Sequence, residues 1–115
     1  MVTARESTDA AFRAIADPTR REILSLLRGG PRTVGQIASN FRTSRPAISK
    51  HLRLLRSAGL IATQKDGTAH VCRLNARPLR AVSAWLRDYE AFWSECLHSL
   101  KKYVERERAS REEKS

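Results

Sequence analysis

The chain has only two cysteines, Cys72 and Cys96, far apart and without paired-ligand spacing, which argues against a disulfide framework or a zinc knuckle and reads both thiols as reduced and buried. No apolar run is long enough to span a bilayer, and the opening MVTARESTDA lacks the apolar stretch of a secretory signal. The expectation is a cytoplasmic protein with no membrane partner. No nucleophile–base pair, phosphate loop or clustered carboxylates stand out, so neither an enzyme nor a cofactor is expected. Acidic residues are scarce, 12 against 22 Lys and Arg, leaving a net charge of +10. A surplus of that sign draws the molecule to a polyanion.

The surplus is concentrated. Residues 44–75 hold six basic residues and one acidic, half of the whole excess, and arginines outnumber lysines seventeen to five throughout the chain. The planar fork of Arg suits both phosphates and guanine edges, which favours nucleic acid over a membrane surface. With 115 residues there is room for one modest core plus appendages.

The charge centres on SRPAISKHLRLLRSAGLIA, residues 44–62. Ser44 can cap a helix start and Pro46 costs little near it. Ile48, Leu52, Leu55 and Ala58 recur on one apolar stripe, while Arg45, Ser49, Lys50, Arg53 and Arg56 occupy the other face. Gly59 supplies the stop. Upstream, Thr33-Val34-Gly35-Gln36 reads as a capping box opening a short helix with Val34, Ile37, Ala38 and Phe41 inward, joined to Ser44 by the short link Arg42-Thr43. Two helices so tightly joined make a helix-turn-helix, the second placed to read DNA.

Before this pair, Ser7 or Thr8 can cap a first helix through Ala16 with Phe12 and Ile15 on its buried side. Asp17-Pro18 opens a second helix carrying Ile23, Leu24, Leu26 and Leu27, and Gly29-Gly30-Pro31 ends it. After it, residues 61–64 and 69–74 read as strands around Lys65-Asp66-Gly67-Thr68, with Asp-Gly as the hairpin signal. A hairpin in that place is a wing. Asn75 can cap a long final helix, about 76–104, in which Leu79, Val82, Leu86, Tyr89, Trp93, Cys96, Leu100 and Tyr103 form one stripe and Trp85, Phe92 and Leu97 a second beside it. About 30 residues of helix span roughly 45 Å, more than a small domain can cover, so part of that face needs another chain. The fold expected is mainly α with a small β-hairpin: a flexible stretch 1–7, one domain 8–104, and a fraying charged tail 105–115.

The run DPTRREILSLL, the capping-box helix, SRPAISKHLRLLRSAGLI and the Asp-Gly wing together resemble the ArsR-type winged helix-turn-helix repressors, over residues from about 10 to 104. Asp17-Pro18-Thr19-Arg20-Arg21 and Ser44-Arg45-Pro46-Ala47 are similar to the branch that lacks the metal-binding cysteines. The resemblance implies a homodimer with helices from both chain ends, Phe12 included, packed across the two-fold axis. It also implies a repressor that sits on an operator, often that of its own gene.

Double-stranded DNA is thus the expected partner, contacted through Ser44, Arg45, Pro46, Ser49, Lys50, His51 and Arg53 of the reading helix and Lys65, Gly67, Thr68 and His70 of the wing. Arg45 is the candidate for a bidentate guanine contact. The dimer seam is expected at Phe12, Leu79, Val82, Leu86, Tyr89, Trp93, Cys96 and Leu100. No metal site is expected: residues 33–41, matching the cysteine-containing box of metal-sensing members, hold neither Cys nor His, and Glu95 with His98 forms only half of a second possible set. Two alternatives are a metal- or thiol-responsive sensor repressor and a winged helix used as a protein-interaction module. Trp85, Tyr89, Phe92 and Trp93 could line an effector pocket, but such a group more often packs an interface.

Overall fold

The computed structural model describes residues 3–114. The elements run α1 (Ala4–Ile15), α2 (Pro18–Arg28), β1 (Arg32–Thr33), α3 (Val34–Ala38), α4 (Arg45–Ser57), β2 (Ile61–Asp66), β3 (Ala69–Leu74) and α5 (Leu79–Lys114). By internal packing the chain divides into two units, Met1–Val82 and Ser83–Ser115, where the sequence reads one domain over 8–104.

Helices α1 to α4 each start where a side chain can accept an orphan N–H. Thr3 and Glu6 form a reciprocal capping box on α1, each bond 3.1 Å. The helix therefore begins ahead of the expected Ser7 or Thr8 cap and takes in most of the stretch 1–7 read as flexible; Met1 and Val2 lie outside the described residues. Asp17 caps α2 with Pro18 in its first turn, Thr33 and Gln36 box α3, and Ser44 caps α4. At the far end of α4, Gly59 (φ +77°) turns the chain left-handed. Its N–H donates to the Arg56 carbonyl and that of Leu60 to the Leu55 carbonyl, the Schellman closure that delivers Leu60 into the core.

That core gathers Ile23, Leu24 and Leu27 of α2, Ile37 of α3, Ile48, Leu52 and Leu55 of α4, Leu60, Ile61 and Cys72. Leu79 packs against it, and Val82 is also buried.

The sheet has three antiparallel strands in the order β1-β3-β2, one more than the expected hairpin. β1 pairs Arg32 with Cys72 and Thr33 with Val71. A two-residue strand leaves no alternation to read, and its partner lies some forty residues away. The hairpin itself pairs Asp66 with Ala69, so its two-residue loop is Gly67-Thr68. Gly67 has φ +62° and no non-glycine residue among those described has positive φ, which is the type II′ pattern with Gly first rather than an Asp-Gly type I′ turn.

The second unit is the body of α5, and the expected fraying tail is helical through Lys114. Residues 105–113 contain no Gly, Pro or β-branched residue, and Glu107 with Arg111 and Arg108 with Glu112 stand at the four-residue spacing that supports a solvated helix. On this helix Trp85 and Tyr89, one turn apart, meet at a tilt of 51° with ring centres 5.0 Å apart. Phe92 is 64% exposed, Leu97 66% and Leu100 59%, and Trp93, Tyr103 and Val104 are likewise open to solvent on the same three-and-four spacing.

Candidate nucleic-acid interface

The reading helix α4 has two faces of opposite character. Ile48 and Leu55 are fully buried and Leu52 nearly so; Arg45, Pro46, Ser49, Lys50 and Arg53 are exposed, as is the capping Ser44. The Ser44 hydroxyl accepts from the Ala47 N–H at 3.3 Å. The link from α3 is longer than Arg42-Thr43, because α3 ends at Ala38 and the turn takes in Ser39 to Ser44. There the Gln36 carbonyl accepts from the Ser39 hydroxyl and the Asn40 amide, both at 2.8 Å, and Phe41 packs on the core.

On the wing Lys65, Gly67, Thr68 and His70 are all exposed, with Lys65 directly opposite His70 in the ladder. The root of the wing is dry. Cys72 is 1% exposed, and burial pushes its thiol above the usual range, although Thr63 Oγ1 at 4.0 Å works the other way. A thiol so placed is unreactive.

His51 is less exposed than the rest of the expected set. Its side chain is only 22% exposed, with Nδ1 at 3.4 Å from Arg20 Nη1 and 3.8 Å from Asp17 Oδ2. It is turned in part toward α2 rather than wholly outward. The residues that hold it read in the sequence only as helix-start chemistry and as a motif. Arg20 donates from Nε to the Ala14 carbonyl at 2.7 Å and from Nη2 to the Arg13 carbonyl at 2.8 Å, and Arg21 donates to the Ile15 carbonyl at 2.9 Å. The two arginines thus satisfy carbonyls in the last turn of α1 while Asp17 satisfies an orphan N–H in the first turn of α2. Asp17 Oδ2 accepts from the Arg20 N–H at 3.0 Å. That bond holds the Asp17 carboxyl below its ordinary 3.8; partial burial opposes it, and the neighbouring positive charge assists.

The seam residues fall into two groups. Val82 is buried in the protomer's own core, and Leu79, half-buried, packs against that core. Apolar spacing continues without a break from Leu79 to Tyr103, so only burial separates the parts. Phe12 and Leu86 are half-buried, whereas Tyr89, Trp93, Cys96 and Leu100 are exposed. Cys96 is thus not the buried thiol the sequence suggests. Trp85, Tyr89, Phe92 and Trp93 of α5 are exposed, and a groove of about 630 Å³ in the first unit is lined instead by residues such as Ser57, Asn75, Arg77 and Arg80. Among the described residues no group of three or more His, Cys, Asp or Glu is placed to hold a metal ion, and no helix is long and apolar enough to cross a membrane.

Residues 17–63, from the cap of α2 into β2, match the family described as bacterial regulatory protein, arsR family. The chain is 37% identical over 101 residues to the HTH-type transcriptional regulator Rv2034 of Mycobacterium tuberculosis, covering 88% of this chain and 92% of that one. It is 42% identical over 78 residues to the transcriptional repressor SdpR of Bacillus subtilis, 68% of this chain and 87% of that one. A crystal structure of an ArsR family transcriptional regulator, RHA00566, superposes with a TM-score of 0.71 at 37% identity, over 82% of this chain and 97% of that one.

Because Asp17 is held ionised by its bond to the Arg20 N–H, its contribution to stability is complete above pH 3.8 and is lost as pH falls through its lowered folded value. Asp17→Ala should therefore melt below the wild type at pH 7, with the gap closing toward pH 2. A gap of equal size at both pH values in thermal melts followed by circular dichroism would trace the effect to something other than the carboxylate.

Proposed function

The chain belongs to the arsR family of bacterial regulatory proteins, and on that premise we propose that it represses transcription as a homodimer bound to an inverted-repeat operator. It is a DNA-binding transcription regulator with a winged helix-turn-helix, not an enzyme. The observation that carries the finer reading is the division of α4: three apolar side chains lock it into the core while Arg45, Ser49, Lys50 and Arg53 all face solvent. A helix held from behind and basic in front fits a major groove.

Arg45, in the first turn, is positioned for a bidentate contact with guanine. Lys50 and Arg53 suit phosphates or base edges along the same groove, and the exposed wing residues Lys65 and His70 suit the flanking backbone. The reading puts the protein in the cytoplasm, because a regulator of this kind acts where its DNA lies. Dimerisation is supported by the apolar stripe of α5 from Tyr89 to Val104, whose side chains lie largely open to solvent. Solvated monomers rarely leave so much contiguous apolar surface uncovered. Two such protomers related by a two-fold axis would set their reading helices about 34 Å apart, one turn of DNA. The relative named as a transcriptional repressor supports repression as the outcome.

In fluorescence anisotropy against a duplex enriched from random DNA by the wild-type protein, Arg45→Ala should lose about 1–3 kcal/mol of discrimination against a scrambled duplex. Lys65→Ala should weaken both duplexes alike and lower the salt slope by about one. Failure of the wild type to distinguish the two duplexes would overturn sequence-specific recognition. By sedimentation equilibrium the wild type should be a dimer and Trp93→Glu a monomer; a dimeric Trp93→Glu would remove Trp93 from the seam.

A further inference from the structure

His51 meets two neighbours through one nitrogen, and they make opposite demands. A guanidinium can only donate, so the 3.4 Å approach of Arg20 Nη1 to Nδ1 requires a lone pair on Nδ1. A bond to Asp17 would require a proton there, yet its oxygen lies 3.8 Å away, beyond hydrogen-bond reach, and already accepts from the Arg20 N–H. Geometry favours the guanidinium. The neutral ring then carries its proton on Nε2.

That second nitrogen has no partner among the described residues, and none of their incompletely exposed side chains contains a buried nitrogen or oxygen left unbonded. Nε2 therefore reaches solvent. Within α4, His51 sits between the buried Ile48, Leu52 and Leu55 and the outward Lys50 and Leu54, a flank position beside the groove-facing surface. A donor on the flank of a reading helix meets the sugar-phosphate ridge rather than the base edges.

We propose that Arg20, seated by the carbonyls of Arg13 and Ala14 and by Asp17, is a positioning residue that grips His51 by Nδ1 and presents its Nε2–H to a DNA backbone phosphate as a neutral donor. The proposal rests on the DNA-binding reading above. It makes His51 a contact that contributes to affinity without charge, unlike the lysines and arginines around it. Neutral donors displace no counterion, so removing one lowers affinity and leaves the salt dependence alone.

Two substitutions separate the two nitrogens. His51→Asn keeps a polar group near Nδ1, where its oxygen can accept from Arg20, and loses the outward donor; His51→Gln carries an amide nitrogen to the place of Nε2 and loses the grip. With the 15N-labelled full chain, long-range 1H–15N correlation should show the His51 proton on Nε2. On the duplex enriched by the wild type, His51→Asn should bind about tenfold more weakly with an unchanged salt slope, and His51→Gln should stay within about threefold. A proton on Nδ1, wild-type binding by His51→Asn, binding by His51→Gln as weak as that of His51→Asn, or a salt slope reduced by about one in His51→Asn would each overturn the proposal. If the wild type enriches no duplex at all, the DNA reading fails, while the spectrum of the free protein still decides the tautomer.

Discussion

The burial of one stripe of α4, Ile48, Leu52 and Leu55, against Ile23, Leu27, Ile37 and Leu60 is the contact on which the exposed basic face of that helix depends. Each of these side chains contributes roughly 1.5–3 kcal/mol by leaving water, enough together to fix the rotation of the helix about its axis. Rotation is what matters. Successive residues differ by 100°, so seating Ile48 inside turns Ser49, Lys50 and Arg53 outward, while Arg45 is exposed at the open start of the helix. The same burial explains why α3 can be only five residues long: it contributes one fully buried side chain, Ile37, and is held by its capping box and by packing more than by helical propensity.

Polar joints finish what the core begins. Between α1 and α2 the chain has only Ala16 and Asp17, so two helix ends meet with unsatisfied groups on both sides. Arg20 and Arg21 answer the carbonyls and Asp17 the N–H. Arg20 also reaches α4 through His51. A single guanidinium thereby links three helices, and the planar fork of Arg, with its several fixed donors, is what makes that possible.

Much of this was legible in the residues. Asp17, Thr33 and Ser44 each announce a helix start by the chemistry of a side-chain acceptor, Gly59 announces the stop, and the 3.6-residue spacing sorts α4 into core and surface. Thr3 and Glu6 carry the same capping-box signature and were equally readable, although the expected helix began later. Other features were not written locally. β1 exists only because Arg32 and Thr33 find Cys72 and Val71 across the fold, and no two-residue window encodes that. His51 lies next to Lys50 in sequence but a quarter-turn or more away on the helix, toward α2, and only tertiary structure shows that Arg20 waits there. The apolar spacing of α5 likewise runs unbroken past Val82, where burial stops and exposure begins. Periodicity reveals a face; it does not say what covers it.

The third strand changes what kind of mechanical part the wing is. An isolated two-stranded ribbon is floppy in water, but here the root of the hairpin, at Val71 and Cys72, is clamped by β1 to the joint between α2 and α3. Beyond that clamp the ladder continues through only Lys65–His70 and Asp66–Ala69 to the Gly67-Thr68 loop. Stiffness is therefore graded along its length: the base keeps a set distance from the reading helix, while the last few residues are free to bend. On the proposed DNA-binding reading, such a part would behave like a caliper with a rigid arm and a soft jaw, able to keep its spacing while yielding to local variation in groove width from one DNA sequence to another.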